Sequence, residues 1–273
     1  MSLPAAPIRW PAEALWQAVS PLLEGFTVEI LPEVDSTNTE LMRRARAGRC
    51  EPILLVTEHQ TAGRGRLGRQ WVSGVGDSLT FSLGLPMSPA EWSGLSLAVG
   101  VSLANSLQPQ LPAEGEARAR LGLKWPNDLW LEGDRKLGGI LIETASGIGP
   151  SRYVVIGVGL NVRPPTATGL STTPAGLRDI DPALDPPTAL ARIVPPLVQA
   201  LLAFAQHGFA PVRARFAERD LLQGRVVQLS DGLSGLAEGV GADGALRVQT
   251  AEGLRAVTSS DISVRPQAVP LPH

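Results

Sequence analysis

A chain of 273 residues, 44% apolar and 18% charged, is long enough to bury one large core and a smaller second one. Its formal net charge of −2 supplies no overall field to gather nucleic acid or an anionic membrane. A single cysteine, Cys50, excludes an intrachain disulfide and a thiolate metal cage, and three scattered histidines, His59, His207 and His273, exclude a histidine cluster.

No continuous apolar run of about eighteen residues predicts a membrane-spanning helix. The opening residues "MSLPAAPIRWPAEALW" lack the charged-then-apolar order of a secretory signal, so the expected location is cytoplasmic. The cations are lopsided: 22 arginines stand against two lysines, Lys124 and Lys136, both within "KWPNDLWLEGDRK". Where arginine is the default cation, a lysine suggests a narrow site that needs a compact ammonium rather than a planar fork. Three of the four asparagines, Asn38, Asn127 and Asn161, also fall in the segments singled out below.

In chain order, residues 1–30 form a Pro-, Ala- and Trp-rich extension with a short helix over 12–23, too little for a helix-turn-helix module. "DSTNTELMRRARAG" predicts a helix with a Thr37–Glu40 capping box and a stop at Gly48. "PILLVTE" predicts a strand over 52–58 that runs into the loop "EHQTAGRGRLGRQW". Gly63, Gly65 and Gly68 have the G-x-G-x-x-G spacing, but the alternating "SLTFSLGL" (78–85) predicts a strand next, where a dinucleotide fold needs a helix.

Residues 89–108 carry helical spacing and read as the long core helix. "LGLKWPNDLWLEGDRKLGGILIETASG" reads as three strands with a turn at 132–134. "YVVIGVGLNV" (153–162) is a strand whose glycines mark a close approach to the backbone. A Pro/Thr/Gly-rich loop spans 163–187, followed by helical segments over 188–207, interrupted by Pro195 and Pro196, and over 212–222. The remainder shows short strands parted by "SDG", "ADG" and "AEG" turns, a small β-barrel of the C-terminal unit 223–268.

Nucleophilic catalysis has no residues here: there is no G-x-S-x-G, and Cys50 has no histidine nearby in sequence. What remains is cations, glycine backbone and small polar groups, a set suited to a transition state that gathers negative charge, as in phosphoryl or nucleotidyl transfer. Arg64, Arg66 and Arg69 in a glycine loop can close over a phosphate-bearing species, binding its oxygens through guanidinium forks while Trp71 stacks on a base. Alternatively the loop is a solvated turn or, joined with "RRARAGR", an RNA contact. Lys124 at a strand end calls for an anionic partner if it is buried.

Five motifs, "DSTN", "EHQTAGRGRLGRQW", "KWPNDLWL", "RKLGGILIE" and "VVIGVGLNV", occur in the order and spacing of the biotin protein ligases, which this chain resembles over about residues 35–162. The resemblance implies an α+β catalytic unit over 31–222, with a central mixed β-sheet flanked by helices, plus a small C-terminal SH3-like β-barrel. It implies formation of biotinyl-5′-AMP from biotin and ATP, with Mg²⁺, and transfer of biotin to a lysine of a biotin carboxyl carrier protein.

By position, Ser36, Thr37, Asn38 and Gln60 would meet the biotin ring, with Gly138 and Gly139 lining the site. Gly63, Arg64, Gly65 and Arg66 would wrap the carboxylate and acyl phosphate, and Lys124 with Arg66 would be catalytic. Arg64, Arg66, Arg69, Trp71, Asn127, Lys136 and Asn161 would serve the nucleotide. The N-terminal DNA-binding domain of repressor-type members has no counterpart in the sequence, so neither DNA binding nor repression is expected. No membrane association is expected, and a monomer or homodimer is. A lipoate–protein ligase and a non-catalytic small-molecule binding module remain as alternatives.

Overall fold

The structure, a computed structural model, describes residues 7–113, 115–146, 151–167, 169–170, 172–258 and 264–266. The first six residues of the extension, the expected boundary at 268 and His273 lie outside them. Two sheets organise the chain. The first has seven strands in the order β1-β2-β3-β7-β6-β5-β4: β1 (Thr27–Val34), β2 (Ile53–Gln60), β3 (Ser78–Met87), β4 (Leu121–Lys124), β5 (Asp128–Leu131), β6 (Arg135–Ser146) and β7 (Arg152–Asn161). β1 and β2 run parallel and every other neighbouring pair is antiparallel, so the sheet is mixed.

β1 begins within the expected extension and holds Pro32, which is tolerated because β1 is an edge strand and the register passes from Leu31 to Glu33. Its parallel partner is reached through α2 (Thr37–Arg46), which crosses one face of the sheet and packs Leu41, Met42 and Ala45 on Leu55, Tyr153 and Val155. The cap of α2 is Ser36, whose hydroxyl accepts from Thr39 N at 3.4 Å; the expected capping box is replaced because the Glu40 carboxylate takes Arg43 and Arg44. Gly48 ends the helix at φ +83, as its position predicts.

The opposite face carries the larger core, covered by α1 (Ala12–Val19), α3 (Leu95–Leu107) and α4 (Pro186–His207). α3 starts six residues after the expected point, behind Gly94 at φ +82. α4 is one helix through Pro195 and Pro196. The carbonyls these prolines leave unbonded belong to exposed Ala191 and Arg192, while Ile193, Val194, Leu197 and Val198 are buried in the core and hold the helix together. α4 is long and apolar enough to cross a membrane by length and composition, yet it serves as the core helix of this sheet.

The helix expected over 212–222 shrinks to α5 (Arg213–Ala217). Its continuation is recruited by β4 instead: Leu123 N donates to Arg219 O at 2.7 Å and Leu221 N to Leu123 O at 3.0 Å. The second sheet, antiparallel in the order β11-β10-β9-β8-β12, comprises β8 (Val226–Leu229), β9 (Ser234–Val240), β10 (Leu246–Thr250), β11 (Gly253–Val257) and β12 (Val264–Pro266). Its turns fall at Gly232, Gly244 and Gly253, all at positive φ, as the three turn motifs predict. Trp125, 1% exposed, ties the sheets together through Nε1 donating to Gly244 O at 3.0 Å.

Candidate functional site

Strand alternation builds the floor of the site. On the α2 face, β7 presents Tyr153 and Val155 beneath the helix, then Gly157, Gly159 and Asn161 beyond its N-terminus. Alongside, β3 presents Ser82, Thr80 and Ser78, and β6 presents Leu141 and Gly139. Gly139, Leu141, Gly157, Gly159 and Asn161 of this floor line a cavity of about 500 Å³, within the range of small-molecule sites, with the β3 hydroxyls buried beside it. The glycines that the sequence marks for close approach are approached closely. A methyl group on Gly157 would overlap the Asn38 amide, and one on Gly159 would sit 2.6 Å from Trp71 Cε2.

One end of the cavity is neutral and already bonded. Gln60 Oε1 accepts from Thr37 N at 2.8 Å and from the Thr37 hydroxyl at 3.3 Å. Ser82 Oγ lies 2.7 Å from Thr37 Oγ1 and 2.6 Å from Asn38 Oδ1, sharing its one proton between them. Asn38 Nδ2 donates to Leu141 O at 3.1 Å and Glu143 Oε2 at 3.0 Å. These residues are buried, so the network fixes its members in one arrangement, as a satisfied buried polar cluster does.

The other end is cationic. The glycine–arginine loop is a closed hairpin: Gly65 N donates to Arg69 O at 2.7 Å and Trp71 N to Gly63 O at 2.9 Å. Leu67 at its tip has φ 54 and is exposed, and Trp71 lies flat on Gly159 with a buried Nε1 that has no partner among the described residues. Arg64 reaches Glu143 Oε1 at 3.3 Å and Arg66 donates to Asn127 Oδ1 at 3.2 Å.

Across from the loop, Lys124 ends β4 and is 8% exposed. Its Nζ stands 4.0 Å from Asp128 Oδ2 and 5.0 Å from the centre of the Trp130 ring. Asp128 Oδ1 accepts from Lys136 Nζ at 2.8 Å. Burial brings the Lys124 ammonium down to about 8; Asp128 opposes this, while Lys136, Arg69 and Arg66 push the same way. A half-compensated buried cation flanked by guanidinium groups is a site for an anion.

Most of the sequence candidates share this cavity: Ser36, Thr37, Asn38 and Gln60 at the neutral end, and Arg64, Gly65, Arg66, Arg69, Trp71, Lys124, Asn127 and Lys136 at the cationic one. Gly139 is also in the wall, 3.3 Å from Asp128 Oδ1 where its Cβ would be. Gly63 and Gly138 are not in the wall. Gly63 lets the loop hairpin close on Trp71 O, and Gly138 lets β6 pack against Gly159 O and Leu160. Asn161 lines the cavity, but its amide is spent on Ala175 O at 3.0 Å and Lys136 O at 3.4 Å.

Sequence reasoning passed over three participants. Ser82 is one of many serines and its strand signal is ordinary. Glu143 sits at the end of an apolar run. Asp128 lies inside the quoted motif, one residue past Asn127, and the need of Lys124 for a negative partner was the signal that could have found it. The "RRARAGR" cluster does not extend the site: Arg43 pairs with Glu40 and Asp35, and Arg44 with Glu29 and Glu40.

Residues 31–161 match the Biotin/lipoate A/B protein ligase family, and residues 224–265 match the biotin protein ligase C-terminal domain. The bifunctional ligase/repressor BirA of Escherichia coli (strain K12) is 34% identical over 250 residues, covering 89% of this chain and 75% of that protein. The biotin–[acetyl-CoA-carboxylase] ligase of Paracoccus denitrificans is 29% identical, covering 85% of this chain and 98% of that one. Among solved structures, the biotin protein ligase from Aquifex aeolicus in complex with biotin and ATP superimposes with a TM-score of 0.73 at 26% identity, covering 88% of this chain and 99% of that chain.

Proposed function

This chain belongs to the biotin/lipoate A/B protein ligase family, and from that membership we propose that it is an ATP-dependent biotin protein ligase. The observation that carries the reading is the two-ended cavity: a neutral, pre-bonded end opposite a cationic end built around a buried lysine. A ureido ring with a carboxylate tail matches it, ring to the amide and hydroxyl network, tail to Lys124.

In the first step a biotin carboxylate oxygen attacks the α-phosphorus of ATP, forming the acyl–phosphate bond and expelling pyrophosphate. Arg66, Lys124 and Lys136 face the oxygens on which negative charge accumulates, and such pre-placed donors are the main source of rate in water-poor sites. Trp71 and Arg69 would serve the nucleotide. In the second step the neutral ε-amine of a carrier lysine attacks the acyl carbon, forming the amide and expelling AMP, with the amine proton released. Closure of the arginine loop over the adenylate keeps water from taking the place of that amine.

Mg²⁺ binds through one or two carboxylates plus substrate phosphates rather than in an all-protein cage. No group of three or more His, Cys, Asp and Glu side chains among the described residues is placed to hold a metal; on the cavity wall both oxygens of Asp134 are held by Arg225, which leaves Asp128 as the carboxylate that would approach the ion. That arrangement fits an ion carried in by ATP, which supplies neutralisation of phosphate charge when bound. On this reading residues 31–222 are the catalytic unit and 223–268 the C-terminal one, the enzyme is cytoplasmic, and it acts as a monomer or homodimer on a biotin carboxyl carrier protein. No DNA or membrane partner is included, and a repressor function is not.

The test is incubation with ATP, biotin and a carrier domain, followed by intact-mass spectrometry. One biotinyl increment on one carrier lysine, with none when lipoate replaces biotin, is the expected result. A lipoyl increment instead would make the chain a lipoate ligase, and no ATP turnover with either acid would make it a binding module. An operator-DNA gel shift at physiological salt with sub-micromolar affinity would add the repressor function left out here.

A further inference from the structure

The lysine-bearing hairpin β5–β6 turns at residues 132–134, and its last turn residue, Asp134, has φ 58, a conformation aspartate tolerates better than most side chains. Both carboxylate oxygens of Asp134 are taken by one guanidinium: Arg225 NH1 donates to Oδ1 at 2.7 Å and NH2 to Oδ2 at 2.8 Å. Arg225 belongs to the C-terminal unit. It immediately precedes β8, and its carbonyl accepts from Ala237 N at 2.9 Å, so the guanidinium is anchored outside the catalytic sheet. Its Nε is buried without a partner among the described residues, so among the bonds seen the fork serves Asp134 alone.

The placement gives the pair a purpose beyond joining two sheets. Asp134 stands in the cavity wall, two residues before Lys136. The same stretch is pinned at its other end by Trp125, one residue after Lys124, through the bond to Gly244 O. Asn127 and Asp128 therefore lie between two anchoring bonds to the C-terminal unit, and Lys124 and Lys136 flank those bonds by one and two residues. None of the network at Ser36, Thr37, Asn38, Gln60 and Ser82 touches either anchor.

We propose that Arg225, through its two-pronged bond to Asp134, is a positioning residue for the nucleotide end of the site, by which the C-terminal unit sets the hairpin that presents Lys136 and Asp128. This rests on the ligase reading above and on the assignment of that end to ATP. Bidentate guanidinium–carboxylate pairs fix orientation as well as distance, which a single-point contact does not. The carboxyl of Asp134 is held below its ordinary range, first by the Arg225 hydrogen bonds, with burial opposing and the Arg225 and Lys124 charges adding, so it is a carboxylate at neutral pH.

The experiment uses the full chain and three measurements: KM for ATP in biotin-dependent pyrophosphate release, Kd for biotin by calorimetry, and Tm. Arg225→Ala is expected to raise KM for ATP about ten-fold, below the roughly hundred-fold that a 1 Å misplacement of catalytic groups can cost, with the biotin Kd unchanged. Arg225→Lys, which keeps the charge but one prong, should fall between. Asp134→Asn, which keeps the turn conformation, should reproduce the loss and serves if Arg225→Ala does not fold.

A merely structural bridge would lower Tm and leave KM for ATP where it was; that result overturns the proposal. So does a parallel rise in KM for ATP and Kd for biotin, which would report general loosening. A parent protein that releases no pyrophosphate with biotin sinks the ligase reading itself, and this proposal with it. That outcome is told apart because it shows in the unmutated chain.

Discussion

The two ends of the cavity solve the problem of waiting for a ligand in different ways. The neutral end bonds to itself: Thr37, Asn38, Gln60 and Ser82 satisfy one another, and a ring enters by joining a network that the scaffold already holds. The cationic end cannot do this, because like charges do not satisfy one another. Its side chains are held by stand-ins instead, Glu143 for Arg64, Asn127 for Arg66 and Asp128 for Lys136 and Lys124. Geometry is thus built in at the first end and borrowed at the second. The binding of the ring should depend on hydroxyls and amides in the scaffold, and the chemistry on charges that exchange a protein partner for a phosphate.

The sharpest way to break this comparison is at Lys124. Lys124→Arg keeps the charge but puts a broad fork into a pocket sized for an ammonium beside Asp128 and Trp130. Adenylate formation is expected to lose on the order of 3–4 kcal/mol, some hundreds-fold in rate, the usual cost of removing one donor to developing charge. Biotin-dependent pyrophosphate release measures it, and near-normal turnover would contradict the assigned role. Arg66→Ala comes next, since hydrogen bonds to charged groups contribute about 1.5–3 kcal/mol. Its loss should release adenylate into solvent. Streptavidin blots of carrier mixed with bulk albumin should show bystander lysines gaining biotin while the carrier loses it. Parallel loss of both signals would place Arg66 in forming the adenylate rather than keeping it.

The sequence carried the two ends unequally. The cationic end was legible because it is made of rare or crowded residues: two lysines in an arginine-rich chain and three arginines in a seven-residue glycine loop. The close approaches at Gly157 and Gly159 were legible as glycines breaking an apolar strand, although not which groups approach. The neutral end was legible only at Ser36–Asn38 and Gln60. Ser82 at that end, and Glu143 bridging it to Arg64, act through strand register, and register is set by pairings between β3, β7 and β6 that are far apart in sequence. The fold showed the same division. Turns and caps written in one or two residues came through at Gly48, Gly232 and Gly244. Elements decided by tertiary contact did not: the edge strand β1 with its proline, α4 carried across Pro195 and Pro196 by its buried face, and the chain after α5 drawn onto β4.

The neutral end can be broken at Ser82. Ser82→Ala removes the proton that Thr37 Oγ1 and Asn38 Oδ1 share and leaves buried acceptors unpaired, at a cost of about 1–3 kcal/mol. Biotin affinity should fall by roughly ten-fold, the fold-change of about 1.4 kcal/mol, with KM for ATP unchanged. Calorimetry with biotin and steady-state kinetics with ATP separate the two. Weakening of both ligands would mean that the ends are not independent.

The last test separates the ends most cleanly, because its main variable is pH instead of a cavity-altering substitution. Burial brings the Lys124 ammonium down to about 8 from its ordinary value of 10.5. Between those values the unfolded chain holds a proton that the folded chain has released. This group therefore contributes stability that grows as pH rises through that window and is lost as pH falls back toward 8. An arriving anion reverses the preference by paying for the buried charge, so above about 8 the acyl-adenylate must bring a proton with it. Its Kd should then rise by up to about ten-fold per pH unit until the lysine of the complex titrates. A neutral biotin amide, which meets the hydroxyl and amide network and brings no charge to Lys124, should bind with a flat profile over the same range. Calorimetry with a non-hydrolysable biotinyl-adenylate analogue and with the amide gives both curves. Lys124→Met should flatten the first and leave the second unchanged; if the slope survives in that variant, another group carries the charge and the cationic end is not organised around Lys124.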